Sequence, residues 1–137
     1  MRHAWTGLIL GAGLAAAVVV AAAPSAAWNP KAWTNESTVE LRTTCPGESE
    51  HWFPVWLVVL DDQVYVRLGS RAVGRIECNQ TKPEVAVRIA GMEFEHVRLE
   101  SSPADVERVA TAMGKKYWSD VFVHWLSHPM TARLVPQ

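Results

Sequence analysis

The strongest constraint on this chain is a period-two alternation of apolar and polar residues, repeated in short segments and broken by turn residues. Between Ser37 and Thr44, Val39, Leu41 and Thr43 fall on one side and Glu40 and Arg42 on the other. Gln63 to Leu68 sets Val64, Val66 and Leu68 against Tyr65 and Arg67. Glu84 to Ala90 places Val85, Val87 and Ile89 opposite Arg88, and Met92 to Leu99 continues the pattern about Gly91. Strand side chains alternate between faces, so each segment reads as a strand with one wet face. His51 to Leu60 is nearly continuously apolar and reads as a strand buried on both faces. Pro54, near its start, suits a strand beginning or a bulge. Cys45-Pro46-Gly47 and Asp61-Asp62 supply turns.

The remaining segments complete the order. Trp28 to Asn35 is a short lead-in, with Pro30 blocking regular pairing and Trp33 expected to dock on the core. Gly69 to Lys82 interrupts the alternation and reads as a loop with one helical turn around Ile76. Ser102 can cap a helix whose first position suits Pro103, and Asp105 favours its positive end. Val106, Val109, Ala110 and Met113 form its apolar stripe, and Gly114 is placed to stop it. Trp118, Val121, Phe122 and Trp125 repeat that spacing, so a second short helix is expected, ended by Pro129. Met130 to Val135 reads as a last strand. The result is a mainly β (α+β) chain of six strands and two helices.

Residues 1–27 have the three-part layout of a secretory signal. Arg2 and His3 give a polar start, Gly7 to Ala23 is uncharged, and Ser25-Ala26-Ala27 offers small residues to a signal peptidase. Cleavage after Ala27 divides the chain into a signal peptide, 1–27, and one domain, 28–137, exported to a periplasm or secreted. The competing reading is an uncleaved membrane anchor, although the run falls short of the roughly 20 apolar residues a span needs. With 13 basic and 14 acidic residues and no basic cluster, nucleic acid is not an expected partner. Cys45 and Cys78 form either a disulfide, which an oxidising compartment favours, or two half-buried thiols.

Several constellations weigh less than their plain readings. His124 and His128 are four apart, but no third ligand or base accompanies them, so no metal site is assigned. His51 and His96 are the histidines that a haem-handling barrel would use; His96, with Phe94 and Arg98 on its face, reads as a partly buried structural residue. Neither a P-loop nor a nucleophile elbow is present. Trp52 and Trp56 share one strand face and suit core or dimer packing, or an aromatic wall for a ring cofactor.

Four ordered stretches carry a resemblance. They are Val39-Glu40-Leu41-Arg42-Thr43-Thr44 entering Pro54-Val55-Trp56-Leu57-Val58-Val59; Val64-Tyr65-Val66-Arg67; Ser70-Arg71 through Gly74-Arg75-Ile76 to Asn79 and then Pro83-Glu84-Val85-Ala86-Val87; and Arg133-Leu134-Val135-Pro136. Together, over nearly all of 28–137, they resemble the pyridoxamine 5'-phosphate oxidase-like FMN-binding split barrels. The resemblance implies a six-stranded, partly open split β-barrel with two short helices packed on it. It also implies a homodimer with the flavin site at its two-fold interface. Its phosphate would be held by Arg67, Ser70, Arg71 and Arg75, since a phosphate dianion suits guanidinium forks and hydroxyl donors. The expected function is that of a small exported flavoprotein, an FMN-dependent oxidoreductase acting on an unidentified small molecule, with no residue marked as catalytic. The alternative is a non-catalytic exported binding module on the same barrel that has lost the flavin.

Overall fold

The computed structural model describes residues 27–117 and 130–137, together with 13 and 15–17. The expected second helix around Trp118 to Trp125, His124 and His128, and most of the apolar N-terminal run lie outside the described residues. The strands are β1 (Thr38–Thr43), β2 (His51–Leu60), β3 (Gln63–Leu68), β4 (Glu84–Ile89), β5 (Met92–Ser101) and β6 (Met130–Pro136). The helices are α1 (Ser70–Cys78) and α2 (Val106–Lys116). Short 3-10 turns, Pro30–Trp33 and Pro103–Asp105, precede β1 and α2.

All strand pairs are antiparallel, in the order β1-β2-β3-β6-β5-β4, and β4 returns to pair with β1. The barrel is therefore closed rather than partly open as expected. The closing seam is short, running from Glu40 opposite Arg88 to Arg42 opposite Ala86. Two hairpins turn on left-handed residues, Asp61 and Asp62 at φ 50° and 58°, and Ala90 and Gly91 at 50° and 78°. Two consecutive positive φ values match the twist of the flanking strands.

Alternation then fills the interior. Val39, Leu41, Leu57, Val64, Val66, Leu68, Val85, Val87, Ile89, Val97, Leu99, Ala132 and Leu134 form one buried cluster. Trp33 is buried as expected, and with Trp28 and Phe94 it makes an edge-to-face group, centroids 4.9 to 5.7 Å apart, that plugs the hairpin end. At the opposite end α1 lays Ala72, Val73 and Ile76 on the core.

This nine-residue helix replaces the expected loop. Ala72, Val73 and Ile76 give it an apolar face at i, i+1 and i+4, while Gly69 and Gly74 hid the pattern, since glycine is a poor helix former. Gly69 is the N-cap residue, and Gly74 faces open space.

Two further expectations change. Val85 pairs with Val97 but Val87 pairs with Phe94, so a bulge inserts one residue into β5. Beyond it the alternation changes phase: Phe94 packs on the core, whereas His96 is exposed, 3.2 Å from Glu84. On α2 the packed face is Val109, Ala112 and Met113, while Val106 is 42% exposed. The helix continues through Gly114 to Lys116. Here Ser102 caps no backbone group and instead donates its hydroxyl to Asp105, the residue at the N-cap of α2.

Leu41 is fully enclosed, so Leu41→Ala is expected to cost about 2–5 kcal/mol in urea unfolding. Val106→Ala should stay within about 0.5 kcal/mol, because its side chain is exposed and outside the packed face of α2.

Candidate functional site

The site begins with a mismatch in strand length. Only Leu57 to Leu60 of β2 pair with β3, whereas His51 to Trp56 pair with β1. Leu57 N donates to Ser37 O on the β1 side. Strand parity therefore aims the backbone groups of Trp52 and Pro54 at the other edge, which no described strand covers. Pro54 has no N–H to leave unpaired there, which suits an edge position. It lies within β2, opposite Glu40, rather than at a strand start or bulge. Burial of β2 on both faces, expected for its whole length, holds only at Leu57 and Val58, where α2 covers the outer face.

Beside this edge the chain leaves β3 at Arg67 and Leu68, turns at Gly69 and enters α1. The groove between them has a volume of about 1130 Å³. One wall comes from α1, where Arg71, Gly74, Arg75 and Cys78 form an i, i+3, i+4, i+7 stripe, with Arg67 beside them. From β2 the lining takes His51, Phe53 and Val55, and ends at Trp56, whose ring turns to the other face. Glu48 lies on the rim and accepts a hydrogen bond from Arg75 Nη1. Among the described residues the lining thus carries three guanidinium groups and one carboxylate. His51 stacks on Phe53, centroids 6.0 Å apart, on the same face of β2.

Trp52 and Trp56 share the other face. Trp52 lies under Arg88 and Arg42, whose guanidinium carbons are 4.1 and 5.4 Å from its ring centroid. Arg88 also pairs with Glu40 and Glu93 at 2.9 and 2.8 Å. Trp56 stacks on Tyr117, centroids 4.8 Å apart, at the end of α2. The Tyr117 hydroxyl lies 2.6 Å from Leu57 O and 2.8 Å from Ser37 O, and Lys116 Nζ reaches Leu57 O at 3.2 Å. These donors meet the Leu57 carbonyl, one residue past the last residue of β2 that pairs with β1. Burial pushes the Tyr117 phenol above its ordinary value and the Lys116 ammonium below its own.

Of the residues expected to hold a phosphate, Arg67, Arg71 and Arg75 line the groove, and Ser70, exposed at the first turn of α1, does not. Glu48, Phe53, Cys78 and Met113 join the lining without a signal that singled them out in advance. The α1 periodicity was the clue available for Cys78. A disulfide joins Cys45 to Cys78, with Cα atoms 5.1 Å apart. Among the described residues no group of three potential metal ligands occurs. A cationic wall facing an aromatic and apolar one suits an elongated, partly aromatic anion.

A six-stranded antiparallel barrel of this topology, with a helix over one end, has the split-barrel fold. Three solved structures share it. One is the conserved hypothetical protein Rv2991 from Mycobacterium tuberculosis, 17% identical over 77% of each chain, with a TM-score of 0.55. HutZ, the heme storage protein from Vibrio cholerae, is 16% identical over 78% of this chain and 87% of its own, TM-score 0.55. An FAD-binding protein from Mesorhizobium loti (mll6688) is 15% identical over 78% of this chain and 84% of its own, TM-score 0.51. No family model and no curated protein matches the chain.

Tyr117→Phe keeps the stack on Trp56 and removes the hydroxyl, at an expected cost of about 1–2 kcal/mol near neutral pH. The folded phenol's raised pKa adds stability that is full below the unfolded value of about 10 and lost as pH rises through the folded one. Unfolding measured between neutral and alkaline pH should show that alkaline loss in the native protein, and less of it in the variant.

Proposed function

We propose that the groove holds FMN and that the protein is an exported flavin-dependent oxidoreductase. One observation carries this reading: Arg67, Arg71 and Arg75 line the groove together with Phe53 and Val55. The donor set fits a phosphate, since guanidinium groups match its oxygens in pairs. The facing apolar wall suits a flat ring, and a flavin would supply hydride transfer while the chain positions it and excludes water. The flavin named in the Mesorhizobium loti protein is consistent with this. Ser70 is left out of the proposed set because its side chain does not line the groove.

A homodimer is part of the same proposal. The open edge of β2, from His51 to Val55, would offer a second copy backbone groups, with His51 and Phe53 beside the groove. Export and cleavage after Ala27 are supported by the signal layout and by the disulfide, which suits an oxidising compartment. Trp28, first in the cleaved chain, already packs against Trp33 and Phe94.

A second reading rests on His51, which lines the groove and could face a tetrapyrrole whose carboxylates meet the arginines. The heme named for HutZ makes it worth testing.

Absorbance spectra of the purified protein with FMN and, separately, with haem distinguish these readings. Bound flavin bands, with affinity reduced about tenfold or more in Arg67→Ala and Arg71→Ala, are expected. A Soret band lost in His51→Ala would favour the tetrapyrrole. Retention of neither, in a folded protein, would overturn the enzyme reading in favour of a non-catalytic binding module. Mass analysis of exported protein should find Trp28 as its first residue.

A further inference from the structure

The Cys45–Cys78 disulfide ties the turn after β1 to the last residue of α1, and its two halves have different surroundings. Cys45 is 5% exposed, whereas Cys78 is exposed and lines the groove. On α1, Cys78 closes the stripe begun by Arg71 and Arg75. Of the two half-cystines, Cys78 is thus the one open to the groove, on the same stripe as the guanidinium groups. Among the described residues Glu48 is the one carboxylate of the lining; it pairs with Arg75, and Arg71 stands one turn away on the same stripe, a cationic surface that attracts anions.

We propose that Cys78 is a thiol–disulfide exchange site, and that its reactant is a low-molecular-weight thiol bearing a carboxylate, positioned by Arg71 and Arg75. The incoming thiolate attacks Cys78 Sγ. A bond forms between those two sulfurs, the Cys45–Cys78 bond breaks, and the electron pair leaves on Cys45 Sγ, which takes a proton from water. A second thiolate attacks the incoming sulfur of the mixed disulfide and releases Cys78 as a thiolate. Two thiols thus become one small disulfide, and their two electrons reduce the protein's bond.

The fold accommodates this reaction because α1 has a second fastening. Asn79 accepts a hydrogen bond from Thr44 N at 2.9 Å and donates to Glu84 O at 2.8 Å, and Gln80 N donates to Thr44 O at 2.9 Å. The exchange requires no flavin, so its outcome is separate from that of the cofactor reading.

The test measures reduction of the oxidised protein, without added cofactor and at low salt, by 3-mercaptopropionate and by 2-mercaptoethanol. Rates are compared per thiolate and corrected for thiol pKa. The carboxylate thiol should be faster by about fivefold, the factor that a favourable exposed ion pair supplies. That advantage should vanish in Arg71→Ala/Arg75→Ala, and peptide mapping of the trapped mixed disulfide should place the adduct on Cys78. With the dianionic reagent 5,5'-dithiobis(2-nitrobenzoate), Cys78 in Cys45→Ser should react faster than Cys45 in Cys78→Ser. Equal rates for the two small thiols, or an adduct on Cys45, would overturn the proposal. Both of those measurements use the native protein and do not depend on the variants folding.

Discussion

The site depends on the pairing of backbone groups along β2. Its ten residues meet β1 along the first six and β3 along only the last four. A strand inside a barrel satisfies its N–H and C=O groups on both edges, and an overhanging strand cannot. The overhang makes one wall of the groove, and α1, entered directly from the end of β3, makes the other. Had β3 been four residues longer in the same register, it would have reached the level of His51 and the groove would be filled.

Around that overhang the stabilising terms divide by location. The interior is apolar and enclosed, and each fully buried aliphatic side chain is worth about 1.5–3 kcal/mol. Outside, Arg42, Arg88, Arg108 and Arg133 join acidic partners in exposed pairs that are individually weak. Arg108 does more than pair, since it also donates to the Tyr65 hydroxyl at 3.0 Å and fixes the start of α2 over β3. The end of α2 is held by Tyr117 and Lys116 on the Leu57 carbonyl. The same helix thus covers the outer face of β2 where its pairing with β3 begins.

Much of this was legible in the sequence, because strand alternation is a local signal. The inward sets of β1, β3 and β4, the tight turns at Asp61-Asp62 and Gly91, the docking of Trp33 and the last strand all follow from neighbouring residues. The misreadings share a physical origin in longer-range geometry. Glycine at 69 and 74 masked α1, whose apolar face is defined only by the barrel end it covers. A single inserted residue in β5 reversed the side on which His96 lies, and a bulge leaves no mark in composition. The grouping of Arg67, Arg71 and Arg75 was expected from resemblance alone. The exclusion of Ser70 and the inclusion of Glu48 and Cys78 needed the helix to be oriented first.

The two tight hairpins have a consequence for how such a chain can diversify. Each reverses direction through two left-handed residues, Asp61-Asp62 and Ala90-Gly91, and has no slack to absorb an insertion. Lengthening either would replace a two-residue turn whose twist matches its strands. The opposite rim is built from the turn after β1, α1 and the stretch leading to β4, where added residues would extend into solvent or into the groove. Variation in length is therefore channelled to one rim. A barrel of this design can acquire new ligand preferences by remodelling that rim while its folding core keeps a constant register.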